Sequence, residues 1–469
     1  MSETITLFSG GLVVLPEGEP VVTDIVTRGG KILAIGACEF GSAKVERVDL
    51  NGLVVLPGLV DPHLHLGHGK DISRPRVPGD AAQETAAAAV GGVTSFIPYL
   101  MATDPFDRLF DEVKAVTEAG SRIDFGYHFV ISTEAQLAGV SDYATRYGVP
   151  SFKIFMNNRG GEGARLGLPD IDDGFLFRLC EASAAVNGVV CPHPETIEIA
   201  WVLRNREKAR DPDGKGGLKT WNASRPGFVE ADAVQRSAYL ARVAGSHIHI
   251  VHTSSAAALE AGVMQRQAGA AITIETCPHY LTHDEEWGHG NIGKINPPLR
   301  SKADREALWK SIADGAVDII GTDHIHRDVS SKAGSVWDAS PGCPGLETML
   351  PVMLTEGHHK RGIPLSRIAA LTSTNASRAM GMSHAKGAIA VGLDADFAIV
   401  DPKAEWTLGL DDLKSAAGYS LYEGVRFKGR VVHTVLRGTF IMRDRVLVDD
   451  AVGKGRYLPR RLPAIRGGA

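Results

Sequence analysis

Two histidines separated by one residue, His63 and His65, close the run Pro57-Gly-Leu-Val-Asp-Pro-His-Leu-His. Residues i and i+2 of an extended strand face the same side, so both imidazoles can address one ion, and neutral imidazole is a common zinc ligand. Further along, Ser151-Phe-Lys153-Ile-Phe155 places a lysine inside an apolar run. Such a lysine can carry its ammonium out to water along its own stem. Between two cations, however, the ammonium would be repelled, and a desolvated lysine readily loses its proton. The free amine can then take up carbon dioxide, giving a carbamate whose two oxygens bridge two ions. His193 in Cys191-Pro-His-Pro-Glu195 and His252 in His247-Ile-His-Ile-Val-His would complete a second ion's shell. The neighbouring His247 and His249 are expected, one or both, to face helices or the layer below. Asp323, in Gly321-Thr-Asp-His-Ile-His326, can touch one ion and also shuttle a proton, which makes it the candidate acid and base.

These residues are useful only if separate elements bring them together. Short apolar runs alternate with amphipathic stretches through the middle of the chain, at 53–66, 93–97, 123–131, 151–155, 188–192, 248–252, 271–275 and 317–322. Between them, 80–90, 106–119, 175–186, 231–243, 256–267, 302–314 and 346–359 carry apolar residues at helix spacing. Strands alternating with helices read as a parallel sheet, and eight such units close it into a (β/α)8 barrel. The chemistry-bearing residues then fall at the carboxyl ends of their strands, the face on which barrel active sites assemble. Both ends of the chain have a different texture, with short alternating runs broken by glycine, as in Asp24–Gly36 and Val431–Gly438. Two terminal β segments around an α/β middle suggest a small sandwich built from both ends. The expected division is 1–56 with 385–469 for the sandwich and 57–384 for the barrel. Stretches 157–173 and 204–227 read as long irregular loops.

Composition limits the partners. The 469 residues are enough for a barrel and a smaller unit, and 44% hydrophobic against 22% charged residues describes a globular chain. A net charge of −5 with no Lys/Arg block argues against nucleic acid, and no apolar run is long enough for a membrane span. The start of the chain carries no secretion pattern, so a cytoplasmic location is expected. Five scattered cysteines without CxxC spacing read as buried thiols.

The segments PGLVDPHLH, SFKIFM, ETCPHYL, INPPLR, GTDH, PGLET and VGLDADFAIVDP, in that order along nearly the whole chain, resemble the cyclic amidohydrolases of the amidohydrolase superfamily. That group includes dihydropyrimidinases and hydantoinases, allantoinases and dihydroorotases. The resemblance implies two divalent ions, zinc or else manganese or cobalt. His63, His65, carboxylated Lys153 and Asp323 would hold one, and Lys153, His193 and His252 the other. It also implies the terminal sandwich, a homo-oligomer (dimer or tetramer), and hydrolytic opening of a small cyclic amide.

The chain departs from each branch. Dihydroorotases follow the histidine pair with an Arg-Glu-Pro-Gly run, where this chain has Leu66-Gly-His68-Gly, and they carry a histidine where this chain has Arg327. Hydantoinases carry a tyrosine five residues beyond the bridging lysine, where this chain has Asn158, an amide able to donate to a developing oxyanion. Asn296 and the Cys343-Pro-Gly345 loop stand where these relatives hold the ring, so Asn158, Asn296, Arg327 and Gly345 are the expected substrate contacts. His68 reads as a loop hydrogen-bonder and His279 as a neighbour of the centre. Hydantoin- or dihydropyrimidine-like ureides and imides are the expected substrates, with allantoin or another lactam next and dihydroorotate third. A mononuclear deaminase and a non-catalytic hydantoinase-like assembly protein are the readings from other classes.

Overall fold

The computed structural model describes residues 4–40 and 44–462; the expected sandwich also takes in 1–3, 41–43 and 463–469, which lie outside the described residues. The apolar runs of the middle form parallel strands: β1 Leu59–His65, β2 Val93–Leu100, β3 Asp124–Phe125 with His128–Val130, β4 Ser151–Phe155, β5 Val189–His193, β6 His247–Ile250 and β7 Ile272–Thr276. β8 comes in two halves, Ile319–Ile320 and His324–Ile325. Its first half pairs with β7 (Glu275 opposite Ile319) and its second with β1 (Ile325 opposite His65). That one interrupted strand closes the ring of eight, and Asp323 sits in the interruption.

Helices cover the outside, among them Pro78–Val90, Phe110–Gly120, Asp173–Ala185, Gly227–Ala244, Ala256–Gln267 and Lys302–Asp314. Pro78–Val90 buries Ala81 and Ala86 to Ala89, small side chains that let the helix lie close on the strands. The barrel interior is filled by Val60, Ile97, Tyr99, Val130, Cys191 and Ile319, so it is a packed core rather than a pore.

Two expectations from sequence are corrected. Residues 53–66 are not one strand: Val54–Pro57 belongs to the terminal sheet, and the barrel strand begins after Gly58. A Cβ at Gly58 would lie 2.2 Å from the Thr94 hydroxyl, so only glycine lets the chain pass from one sheet to the other at this point. Residues 204–227 are not an irregular loop. Ile197–Arg210 and Gly217–Ser224 are helical, with Leu218 and Trp221 buried, and the polar composition reflects an outward face.

The terminal segments hydrogen-bond as one nine-stranded sheet rather than as separate sheets. Val54–Pro57 runs parallel to Ile5–Val13 and antiparallel to Phe397–Thr407, Val55 opposite Ile399, so strands from the two ends of the chain lie side by side. The sheet encloses a core of its own that includes Phe8, Ile25, Val55, Phe397 and Val435.

A buried charge cluster ties this sheet to the barrel. Lys386 Nζ lies 2.6 Å from Asp124 at the start of β3, 2.6 Å from Asp396 and 2.9 Å from Asp394, and Arg437 also bonds Asp124. The three carboxylates are close enough to hold a cation, and the Lys386 ammonium is that cation. The chain then returns to the barrel floor. Leu458 N–H donates to the Phe125 carbonyl at 2.7 Å, and the buried Arg460 guanidinium donates to Ser151 Oγ at 2.7 Å and to the Met380 carbonyl at 3.1 Å. Removing one partner from a buried ionic cluster costs about 3–5 kcal/mol. Lys386→Met is therefore expected to lower the unfolding free energy by about that amount in urea titrations; an unchanged midpoint would show that the cluster does not hold the two sheets together.

Candidate metal centre

His63 and His65 lie on one side of β1, as their spacing requires, and both are buried. Their Nε2 atoms are 3.1 and 3.6 Å from the same oxygen, Asp323 Oδ1. From β5 and the end of β6, His193 Nδ1 and His252 Nε2 approach to 2.9 Å. Lys153 on β4 is 1% exposed, with its Nζ 4.5 Å from the centre of the Tyr99 ring. All six side chains line one cavity of about 520 Å³.

Backbone geometry aims two of them. Asp323 has φ 48° and His252 φ 39°, left-handed values that cost a residue with a Cβ about 1–3 kcal/mol unless its surroundings fix them. Asp61 fixes the first: its carboxylate accepts from Thr322 Oγ1 at 2.5 Å, Thr322 N at 3.1 Å and His63 N at 3.2 Å, pinning β8 to β1 at the residue before Asp323. Burial raises the Asp61 carboxyl to about 6 even with these donors. Glu275 on β7 fixes the second, accepting the His252 N–H at 3.0 Å.

Two of the four imidazoles commit one ring nitrogen to a carboxylate behind them. His63 Nδ1 is 2.6 Å from Glu275, which also holds His249 Nε2 at 3.0 Å, and His193 Nε2 is 2.8 Å from Glu195, itself 2.6 Å from Arg225. Carboxylates in this position fix the tautomer of a ligating imidazole and raise its basicity. Neither Glu195 nor Glu275 was assigned a role from sequence. Glu275 was nonetheless visible, as a charge inside an apolar strand that must find buried partners.

Other ring nitrogens of the centre lack partners. His63 Nε2, His65 Nδ1 and His252 Nδ1 are buried without a hydrogen bond among the described residues. With Nδ1–H given to Glu275, neutral His63 points a lone pair at a carboxylate oxygen, an arrangement that needs a cation. In the ion-free protein a proton serves: burial opposes charge on His63, but Glu275 and Asp323 outweigh it and raise the group to about 9. Burial pushes His65 down to about 3 and His252 well below the usual range, leaving both neutral with lone pairs to give. Burial also lowers Lys153 to about 8, against the pull of Asp323, so a neutral amine is accessible. Imidazole, carboxylate and amine in this state suit divalent cations of the zinc, manganese and cobalt kind.

Of the expected substrate contacts, Asn158, Asn296 and Arg327 line the cavity, and Asn296 Oδ1 has no hydrogen-bond partner among the described residues. Gly345 is not among the lining residues; its N–H donates to His324 Nδ1 at 3.1 Å, which turns it into the wall. His68 bonds Asp80 at 3.0 Å and His249 faces the layer beneath the centre, while His279 is buried with Nδ1 3.7 Å from Cys343 Sγ. His326 is buried with both ring nitrogens unpartnered among the described residues.

The chain as a whole is similar to known proteins. The model of the Amidohydrolase family matches residues 229–441. An allantoinase of Escherichia coli K12 is 33% identical over 451 residues, spanning 93% of this chain and 94% of its own. Among solved structures, a D-hydantoinase from Bacillus sp. AR9 superposes with a TM-score of 0.88 at 28% identity, covering 97% of this chain and 99% of that one. A dihydropyrimidinase from Brevibacillus agri gives 0.87 at 27% identity over the same shares. No helix among the described residues is long and apolar enough to cross a membrane.

Partners behind ligating histidines typically contribute about 10–100-fold in metal affinity. Glu275→Gln is expected to weaken metal retention by that factor in chelator competition, with the fold preserved; equal retention would remove Glu275 as an orienting group.

Proposed function

The chain belongs to the amidohydrolase family, and from that premise we propose that it opens the ring of a cyclic ureide or imide by hydrolysing an amide bond within it. The observation that carries this reading is the convergence, on one buried cavity floor, of four imidazoles, Asp323 and a lysine poised to lose its proton. His63, His65 and Asp323 would hold one divalent ion and His193 and His252 a second, with Lys153 between them as a carbamate formed by its neutral amine and carbon dioxide. The barrel, 57–384, is the catalytic unit in this reading, and the terminal sheet supports it.

When bound, such ions lower the pKa of a coordinated water to about 7 and polarise the scissile carbonyl. The chain supplies the rest. Asp323 is kept ionised, near 2, because His63 and His65 outweigh its burial, so at neutral pH it can accept a proton and return it to the leaving ring nitrogen. The amide of Asn296, with an unpartnered oxygen, can take a ring N–H, and the Asn158 amide can donate to a carbonyl oxygen as its charge grows. Ile72, Phe155 and Trp221 give the cavity apolar walls that exclude bulk water from the ring. The product is a ring-opened carbamoyl or amide acid. Hydantoins and dihydropyrimidines are the first substrates to test, with allantoin the second because of the likeness to the bacterial allantoinase.

Lys153→Ala is expected to lose both metal content and ring opening of hydantoin, with partial recovery when a short carboxylic acid is added; full activity in that variant would remove the two-ion reading. Asp323→Asn should keep most of the metal while turnover falls by about 10²–10⁴-fold. Turnover equal to the parent would exclude Asp323 as the proton carrier.

A further inference from the structure

The chain carries a net charge of −5, yet its cavity collects cations. Arg204 is neutralised by Glu162 at 2.7 Å and Arg225 by Glu195 at 2.6 Å. Arg165, Lys294 and Arg327 line the same cavity and make no ion pair among the described residues. The acids near them act on them only without direct pairing: Asp71 pairs instead with Arg76 at 3.1 Å and accepts the Ser73 N–H at 2.8 Å, and Asp338 accepts the Ser335 hydroxyl at 2.6 Å.

The three cations come from different elements. Arg165 stands on the single turn of 3-10 helix Glu162–Leu166 in the connection after β4, Lys294 lies in the connection after β7, and Arg327 follows β8. Arg327 Nε donates to the Lys70 carbonyl at 3.2 Å, which holds the stem and leaves the two terminal nitrogens without a protein acceptor among the described residues. Lys294 is 1% exposed; its ammonium donates to the Ala339 carbonyl and sits 4.2 Å from the centre of the Trp221 ring, with two further N–H bonds to give. Burial first, and then Arg165, depresses both Lys294, to about 7, and Arg327. Like charges held near one another around a water-filled volume are relieved by an anion placed among them. A five- or six-membered ring seated at the centre fills only part of a cavity of about 520 Å³.

We propose that Arg165, Lys294 and Arg327 form a subsite for a carboxylate carried on the ring's substituent, so that the preferred substrates are acidic cyclic amides rather than neutral ones. This rests on the reading of the cavity as a cyclic-amide site and names the substrate class within it. The guanidinium groups supply paired donors that match a carboxylate, and Trp221 walls the space behind it.

The test compares hydantoin-5-acetate with hydantoin-5-acetamide, a neutral probe of nearly the same size, on the metal-loaded full-length protein. Charge-assisted hydrogen bonds should give the acid about a 10- to 100-fold advantage in kcat/KM at low salt. That ratio should shrink in 0.5 M salt, a concentration chosen on the order needed to screen such contacts, and should collapse to within about 3-fold in Arg165→Gln and in Arg327→Gln. Arg165 is exposed, so its replacement leaves the core untouched. Hydrolysis of both rings with the amide equal or preferred overturns the subsite while leaving the cyclic-amide reading intact. Should neither ring open, that reading fails, and calorimetric binding then decides the subsite: tighter binding of the acid that depends on both arginines upholds it, and equal affinity for the two probes overturns it.

Discussion

Glu275 is a single carboxylate shared by three elements of the barrel. It takes His63 Nδ1 from β1, His249 Nε2 from β6 and the backbone N–H of His252, whose left-handed conformation it stabilises. Its carboxyl is held well below the ordinary range because the two histidines outweigh its burial. A charge in the centre of a barrel is tolerable only when its lone pairs have donors, and here two of the donors, His63 Nδ1 and the His252 N–H, are the backs of groups that face the cavity. The orientation of the imidazoles is therefore decided one layer beneath them. Glu195 repeats the arrangement for His193, with Arg225 as its own counter-charge. Asp61 does the same for Asp323 through Thr322. Three buried acids thus aim the groups around the centre.

Much of this was legible before any coordinates. The eight apolar runs and their order define the barrel because a parallel strand buried on both faces leaves a continuous apolar signature. The side chains that the structure gathers on the cavity floor are ones whose types and strand-end positions marked them, since i and i+2 alternation is enough to aim His63 and His65 together. What failed to show depends on contacts between distant residues. Glu275 lies 212 positions from His63, and nothing local to either announces the pair. The boundary at Gly58 was hidden because the strands on either side are equally apolar, and only the Thr94 side chain pressing on the glycine separates them. The helices within 197–224 were masked by their polar outer faces, while the buried Leu218 and Trp221 that anchor the second were too few to set a period. Gly345 was misplaced as a ring contact because a sequence cannot tell a backbone N–H aimed at a ligand from one spent on a neighbouring imidazole.

The cavity joins two electrostatic regimes. Its floor sets the neutral imidazoles of His65 and His252 and the ionised Asp323 beside His63, whose charge Glu275 and Asp323 favour. Nearer the loops, cations are set against one another with their acids committed elsewhere. Chemistry demands the first arrangement, because a hydrolytic centre must keep its donors fixed while charge moves. Selection among substrates is served by the second, because an unspent guanidinium discriminates strongly between a charged and a neutral group of equal size.

The weave of the terminal sheet bears on how the molecule comes into being. Val54–Pro57 leads directly into the strand bearing His63 and His65, and one of its edges is completed only by Phe397–Thr407. During synthesis that edge stays open until Phe397–Thr407 has left the ribosome. Barrel closure comes earlier but still waits for the half-strand that docks against β1, which begins at His324. Until His324 and Ile325 emerge, the nascent chain carries its histidine pair on a strand with one edge unsealed, where pairing with a neighbouring nascent chain is a hazard that barrel closure removes.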